Sequence, residues 1–332
     1  MSKLFLTVGP GVVRIASDTN GEASMALHGL GSMTLGVPKV DDARHFYQEF
    51  GLTETTEGTF ASAEGGDQLH IVARPYRQLV AVTIAADDAD DIARIRAAAQ
   101  HRGAPVVSHA DGSISLTEPL TGLRLDIAER ARVSSEPFVS VPVNGPGATV
   151  RNGERSPAIF NEGPAAPRRL GHVLYTTPDI NASIAFLTDV VGFKLSDSTP
   201  GVIAFMRCST DHHNIGLISA PVPVFHHSSW QVNDVDEIGR GAQHLLTEDA
   251  DRSVWGLGRH FLGSNYFWYF RDPAGNYAEY FADLDQIGED VNWEPGEWTG
   301  PKALYAWGPP VPLDFVQPRD MGEIIDAMKA AG

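Results

Sequence analysis

Hydrophobic and polar positions alternate from Leu30 to Val37, as in a strand with one buried face, and the run stops at Pro38. A helical apolar period follows from Asp41 to Phe50, and Gly51 ends it. The same order returns as a run from Leu170 to Pro178, a helical stretch around Asn181 to Val190, and then Gly192-Phe193. Ser32 and His172 hold equivalent places, each six residues before its proline (38 − 32 and 178 − 172), and Asp41 and Asn181 are the expected helix caps. Downstream, Leu79 to Ile84 alternates and leads into a helix over Asp87 to Arg102, acidic early and basic late; Ser228 to Val232 leads into Asp234 to Leu246. Each half closes on a glycine turn and a strand, Thr121-Gly122 before Leu123 to Ile127 and Ala274-Gly275 before Asn276 to Phe281. Each half therefore holds two βαβββ units, which predicts an α+β fold of tandem modules with curved mixed sheets.

Between the halves, Ser140 to Arg169 is rich in Pro, Gly, Asn and Ala and lacks periodicity, as a connector does. The expected division is an N-terminal extension over 1–27, a non-catalytic module pair over 28–139, a linker over 140–169, a catalytic pair over 170–288 and a tail or lid over 289–332. The tail carries Trp293, Trp298, Tyr305 and Trp307 among prolines and glycines and is expected to pack over the second half. Its last helix, Met321 to Ala331, reads as peripheral.

With 332 residues, 42% of them apolar, the chain can fill two cores. The formal charge of −17 repels a phosphate backbone, and no basic run overrides it, so nucleic acid and anionic membrane are poor partners. A single cysteine, Cys208, makes no internal disulfide and fits a reducing compartment. Lys3 to Ile15 is apolar, yet Gly9, Pro10 and Gly11 interrupt it and no clean cleavage site follows, so a cytoplasmic protein is expected. No window approaches the roughly 20 apolar residues of a membrane-spanning helix, which points to a soluble chain.

The second half concentrates histidine: His172, His212-His213, His226-His227, His244 and His260, together with Glu279. A lone histidine is usually structural or exposed, and His28, His45, His70, His101, His109 and His244 are assigned so. His172 opens its module directly after Leu-Gly, and Glu279 lies on the closing strand past the turn glycine. The matching first-half positions are Ser32 and Asp126, with Leu79, Val80 or Ala81 near the place of His227, so that half cannot build the same set.

The segments Leu170-Gly171-His172, Asp211-His212-His213, Phe225-His226-His227, Gly258-Arg259-His260, Tyr269-Phe270-Arg271-Asp272-Pro273 and Gly275-Asn276-Tyr277-Ala278-Glu279-Tyr280 together carry a resemblance. The chain resembles the type I extradiol ring-cleaving (catechol 2,3-dioxygenase-like) dioxygenases of the vicinal oxygen chelate superfamily, over Leu27 to Asp290. The resemblance implies two glyoxalase-like domains, with the metal cleft in the second. It places metal ligands at His172, His227 and Glu279, with His226 a structural neighbour pointing the opposite way along the strand. Two imidazoles and one carboxylate suit Fe(II), and the same donors would hold Mn(II).

The resemblance further implies that His213 is the acid/base residue, on the strand preceding His227 and with an ordinary imidazole pKa of about 6.5; a surface histidine at a turn is the alternative. Tyr269 matches a tyrosine that hydrogen-bonds a substrate oxygen, and His260 a pocket histidine near the substrate hydroxyl. Phe205 and Leu174 are candidate ring neighbours or simply core. Trp255 stands where relatives acting on acidic catechols carry an arginine, which favours an apolar ring substituent or none. The activity implied is extradiol cleavage of a small aromatic diol with O2, in aromatic compound degradation, by a homo-oligomer. A non-oxidative metal-dependent isomerase or lyase of the same fold, and a ligand-sequestering protein, are the alternatives.

Overall fold

The computed structural model describes residues 27–300, 303–316 and 318–331. The first half contains β1 (Leu27–Val37), α1 (Val40–Glu49), β2 (Thr53–Thr56), β3 (Thr59–Ser62), β4 (Gly66–Ala73), β5 (Gln78–Ala86), α2 (Ala89–His101), β6 (Val106–Ser108), β7 (Ile114–Thr117) and β8 (Arg124–Glu129). These strands stand in the order β2-β3-β4-β1-β5-β8-β7-β6. The second half contains β9 (Arg169–Thr177), α3 (Ile180–Phe186), β10 (Lys194–Thr199), β11 (Ile203–Arg207), β12 (Ile215–Ser219), β13 (Phe225–Gln231), α4 (Val235–Glu248), β14 (Ser253–His260), β15 (Tyr266–Arg271) and β16 (Tyr277–Ala282). Its order, β10-β11-β12-β9-β13-β16-β15-β14, repeats the first, with β17 (Gly296–Glu297) and β18 (Tyr305–Trp307) added at the two edges. Within each unit the first and last strands pair in parallel (β1 with β4, β9 with β12, β13 with β16), and the two units meet antiparallel at β1–β5 and β9–β13. The α+β fold with two mixed sheets is the one expected. The extension expected over residues 1–27 lies outside the described residues, apart from Leu27, with which β1 opens.

The helix starts are set by short acidic side chains. Asp88 accepts from the backbone N–H groups of Asp90 and Asp91, and Asp234 from that of Glu237, satisfying donors that the first turn leaves free. The expected caps Asp41 and Asn181 both lie two residues too late. The structure begins α1 after Lys39, which makes no side-chain cap, and α3 after Asp179, whose carboxylate takes the Ala182 N–H at 3.1 Å. The helix starts directly after the proline-bounded strand, ahead of the polar residue the pattern suggested.

One hydrophobic core runs through both halves. Phe50 stacks on Tyr280 at 4.1 Å, and the Tyr280 hydroxyl donates to the Phe50 carbonyl at 2.7 Å. The buried Gln68 accepts the Leu170 N–H at 2.7 Å where the connector enters β9. Arg77 of the first half donates to the Phe225 carbonyl at 2.7 Å and forks at 2.5 and 2.9 Å onto Asp320, which lies between the short α5 (Leu313–Val316) and α6 (Met321–Ala331). With Ile324 also buried, α6 is anchored rather than peripheral. The tail lies over the second half as expected: Gly296 pairs beside Asp197, Tyr305 beside His260, and Phe315 is buried. Among the described residues no helix is long and apolar enough to cross a membrane.

Candidate metal centre

Three neighbouring strands bring His172, His227 and Glu279 together. On β13, Ser229 faces His172 of β9 on one side and Glu279 of β16 on the other, and His227 lies two residues before Ser229. Cross-strand partners share a face, as do positions i and i+2, so all three side chains leave the sheet on one face. One donor atom from each lies within 4.8 Å of the others, with His172 Nε2 and His227 Nε2 at 3.2 and 3.6 Å from Glu279 Oε2.

Local sequence fixes this register. Asp272 Oδ1 accepts from the N–H groups of Ala274 and Asn276, its Oδ2 accepts from Asn276 Nδ2, and Gly275 adopts a φ of 92° that favours glycine. The turn sets Tyr269 opposite Glu279 across β15 and β16. At Gly171 a Cβ would come within 2.5 Å of the Phe281 ring, so glycine lets β9 lie close enough for His172 to reach the site.

All three groups are buried. Burial drives the His227 imidazole well below its ordinary pKa, with His226 adding to the effect, so the ring is neutral and holds a free lone pair. Burial alone would raise the Glu279 carboxyl, but the His172, His260 and His227 rings gathered around it hold it far below the usual range. Asn265 Nδ2 also donates to Glu279 Oε1 at 3.3 Å. His227 Nε2 is buried with no protein partner. A buried lone pair facing a carboxylate, with a second imidazole beside it, is a donor set that fits a divalent cation.

His226 departs from the sequence reading. A bulge between Phe225 and His227 breaks the alternation of β13, and His226 turns into the same cleft as its neighbour. Its Nε2 donates to the Phe315 carbonyl at 2.7 Å, which leaves its Nδ1 to accept the Nδ1–H of His227 at 2.6 Å. The Phe315 carbonyl of the tail thus settles which nitrogen of His227 is free.

A cavity of about 320 Å³ opens beside the three residues, and it brings together every other residue expected at the site: His213, Tyr269, His260, Phe205, Leu174 and Trp255. Leu174, Phe205, Ile203 and Leu262 form one apolar cluster along it. Trp255 is buried, lies nearly parallel to Tyr269 (10°, 5.8 Å) and donates from Nε1 to the Pro309 carbonyl. His260 Nδ1 donates to the Leu304 carbonyl at 2.7 Å, so its Nε2 accepts the Tyr269 hydroxyl proton at 2.8 Å. Burial and the Glu279 charge push the Tyr269 phenol well up, and it stays neutral.

His213 lies in the loop before β12, not on a strand, and it is buried rather than a surface residue at a turn. Its ring centroid is 4.1 Å from that of His172 and 4.8 Å from that of Phe205. Its pKa is not the ordinary one: burial, then the neighbouring His172, pushes it well below. Sequence reasoning passed over His226, Asn265 and Phe315, and of these only the doubled histidine carried a visible signal. A larger groove of about 1040 Å³ runs along the seam between the halves, where Arg169 is paired with Asp211 and Arg132 with Asp87.

The family model described as the Glyoxalase/Bleomycin resistance protein/Dioxygenase superfamily matches residues 169–280. Metapyrocatechase 2 of Cupriavidus necator is 32% identical over 302 residues, covering 88% of this chain and 92% of that protein. Homoprotocatechuate 2,3-dioxygenase from Arthrobacter globiformis superposes with a TM-score of 0.71 at 20% identity, covering 90% of this chain and 95% of that one. The Mn(II)-bound glyoxalase from Novosphingobium aromaticivorans also gives 0.71, at 22% identity, covering 88% and 94%. The likeness to these two structures is one of fold.

Proposed function

The chain belongs to the extradiol dioxygenases of the glyoxalase/bleomycin resistance protein/dioxygenase superfamily, and on that premise we propose that it opens the ring of an apolar catechol beside its two hydroxyls with Fe(II) held by His172, His227 and Glu279. The observation that carries the reading is the buried His227 Nε2 without a protein partner, set beside His172 and Glu279 on the wall of an apolar cavity. Iron held by these two imidazoles and the carboxylate would take up the diol and O2 together, and its charge would lower the pKa of the hydroxyls. Mn(II) suits the same donors and is the alternative.

The chain's own groups divide the remaining work. His213, neutral in its buried place, takes a proton from the diol and returns it as the ring opens. Tyr269 donates its hydroxyl proton in a hydrogen bond to His260 Nε2, so the oxygen's lone pairs are free to accept a hydrogen bond from a substrate hydroxyl. Leu174, Phe205, Ile203 and Leu262 exclude water and flank the ring. The tail closes the cavity with Gly300, Ala303, Leu304, Phe315 and Val316. We also read the protein as a cytoplasmic homo-oligomer without nucleic-acid or membrane partners. The charge of −17 and the single cysteine support the first and last points, and the exposed Val143, Ile159 and Phe160 of the connector support assembly.

No Lys or Arg is among the described residues lining the cavity. A carboxylate on the substrate would lose its water there without gaining a partner, a penalty of about 3 kcal/mol or more. With Fe(II)-loaded enzyme, kcat/KM for 3-methylcatechol is expected to exceed that for a catechol bearing an acetate side chain by at least about 100-fold. Equal values for the two diols would contradict the apolar-substrate reading.

A further inference from the structure

Beside the metal ligands lies a second buried chain of polar groups that the account so far leaves unused. His212 Nε2 is 2.8 Å from Asp197 Oδ2, and His212 Nδ1 is 3.0 Å from His213 Nδ1. All three residues are buried. A carboxylate only accepts, so His212 carries its proton on Nε2; a neutral imidazole has one N–H, so its Nδ1 is a lone pair. The short contact to His213 Nδ1 then needs the proton on His213, which leaves His213 Nε2 unprotonated and facing the cavity that His213 lines. We propose that Asp197 and His212 are positioning residues for His213, a carboxylate–imidazole–imidazole chain that presents the His213 Nε2 lone pair to the substrate. This rests on the reading of His213 as the group that moves the proton.

Three further observations support a built arrangement. The other carboxylate oxygen, Asp197 Oδ1, accepts from the Gly296 N–H at 2.6 Å and from Trp298 Nε1 at 3.4 Å, so the tail fixes the carboxylate. The His212 ring stands edge-on to Trp293 (82°, 6.0 Å), and its backbone N–H donates to the Asp285 carbonyl at 2.9 Å. The loop itself is pinned on both sides, by the Arg169 fork on Asp211 at 2.6 and 2.8 Å and by Asn214 Nδ2 on the Gly171 carbonyl at 3.2 Å.

The wiring also has an internal counterpart. In the His226-His227 pair the first histidine donates from Nε2 to an oxygen, the Phe315 carbonyl, and accepts through Nδ1 from the Nδ1–H of the second. In His212-His213 the first histidine does the same with the Asp197 carboxylate. Each doubled histidine is thus one residue that works and one that sets its tautomer, and in both the outer anchor involves the tail. Burying a carboxylate and two imidazoles is unfavourable compared with an apolar filling of the same shape, which a purely structural role would not require.

The test reads the tautomer directly. In the full chain loaded with Zn(II), a closed-shell ion, ¹⁵N NMR of labelled histidine is expected to show His213 with a protonated-type Nδ1 and an unprotonated-type Nε2. H212Q keeps the wiring, because the glutamine amide can donate to Asp197 and its oxygen can accept from His213; H212L cuts it. H212L is expected to mix the two His213 tautomers and, as the Fe(II) enzyme, to lower kcat roughly 10- to 100-fold with KM within about twofold and iron content unchanged, the scale on which outer partners of a working imidazole act. H212Q is expected to restore both the tautomer and most of kcat. A His213 proton on Nε2 in the wild-type protein would overturn the proposal, and so would H212L with an unchanged tautomer and kcat. The NMR result stands apart from turnover, so an enzyme that failed to open catechols would leave the wiring tested on its own.

Discussion

Replacing Glu279 with Gln is expected to strip the protein of metal and abolish turnover while leaving the fold intact. The change keeps the shape of the side chain and its reach to His172 Nε2 and Asn265, yet removes the one anionic donor of the set. Two neutral imidazoles alone hold a divalent ion poorly, so affinity should fall by more than the roughly 10- to 100-fold that outer-shell changes cost. Metal content by elemental analysis after gel filtration, read beside the thermal unfolding midpoint, separates loss of the site from loss of the protein. His172→Ala and His227→Ala are expected to behave alike. A Glu279→Gln protein that retains stoichiometric metal and full activity would sink the ligand assignment.

Replacing His213 with Asn should separate chemistry from metal binding. His213 is outside the group of three donors, and its ring packs on His172 without contributing to that set. An asparagine amide can still donate to His212 Nδ1, but no proton can be taken up or returned. The expected result is full metal content, a substrate KM within a few-fold of wild type, and kcat lower by roughly 10²- to 10⁴-fold, the usual contribution of a positioned acid/base group. Undiminished turnover would return His213 to a structural role.

Much of the fold was legible because the repeat is written in periodicity. The strand–helix alternation ahead of Asp87 and Asp234, the glycine turn at Gly275 and the doubled module order all survive in the structure. His172, His227 and Glu279 were legible as a set through the family resemblance, while the parallel and antiparallel pairings that bring them together are seen in the structure. What stayed hidden has identifiable physical causes. His226 was assigned to the opposite face because alternation assumes an unbroken ladder, and a bulge at Phe225 broke it. Asp197 looks like any polar residue of a short edge-side strand until Gly296 and Trp298, about a hundred residues later, cover it. Phe315 enters through a backbone carbonyl, which has no sequence signature at all. Tautomers, and therefore the direction in which protons can move, depend on such long-range partners rather than on local pattern.

The central claim is tested most directly by reconstituting the protein anaerobically with Fe(II), adding catechol or 3-methylcatechol, and then admitting oxygen while following O2 uptake and visible absorbance. The account predicts uptake of one O2 per diol, with both atoms incorporated and a yellow ring-opened product, and none of it in the Glu279→Gln protein. Bound metal and bound diol with no oxygen uptake would contradict it and move the non-oxidative isomerase reading to the front.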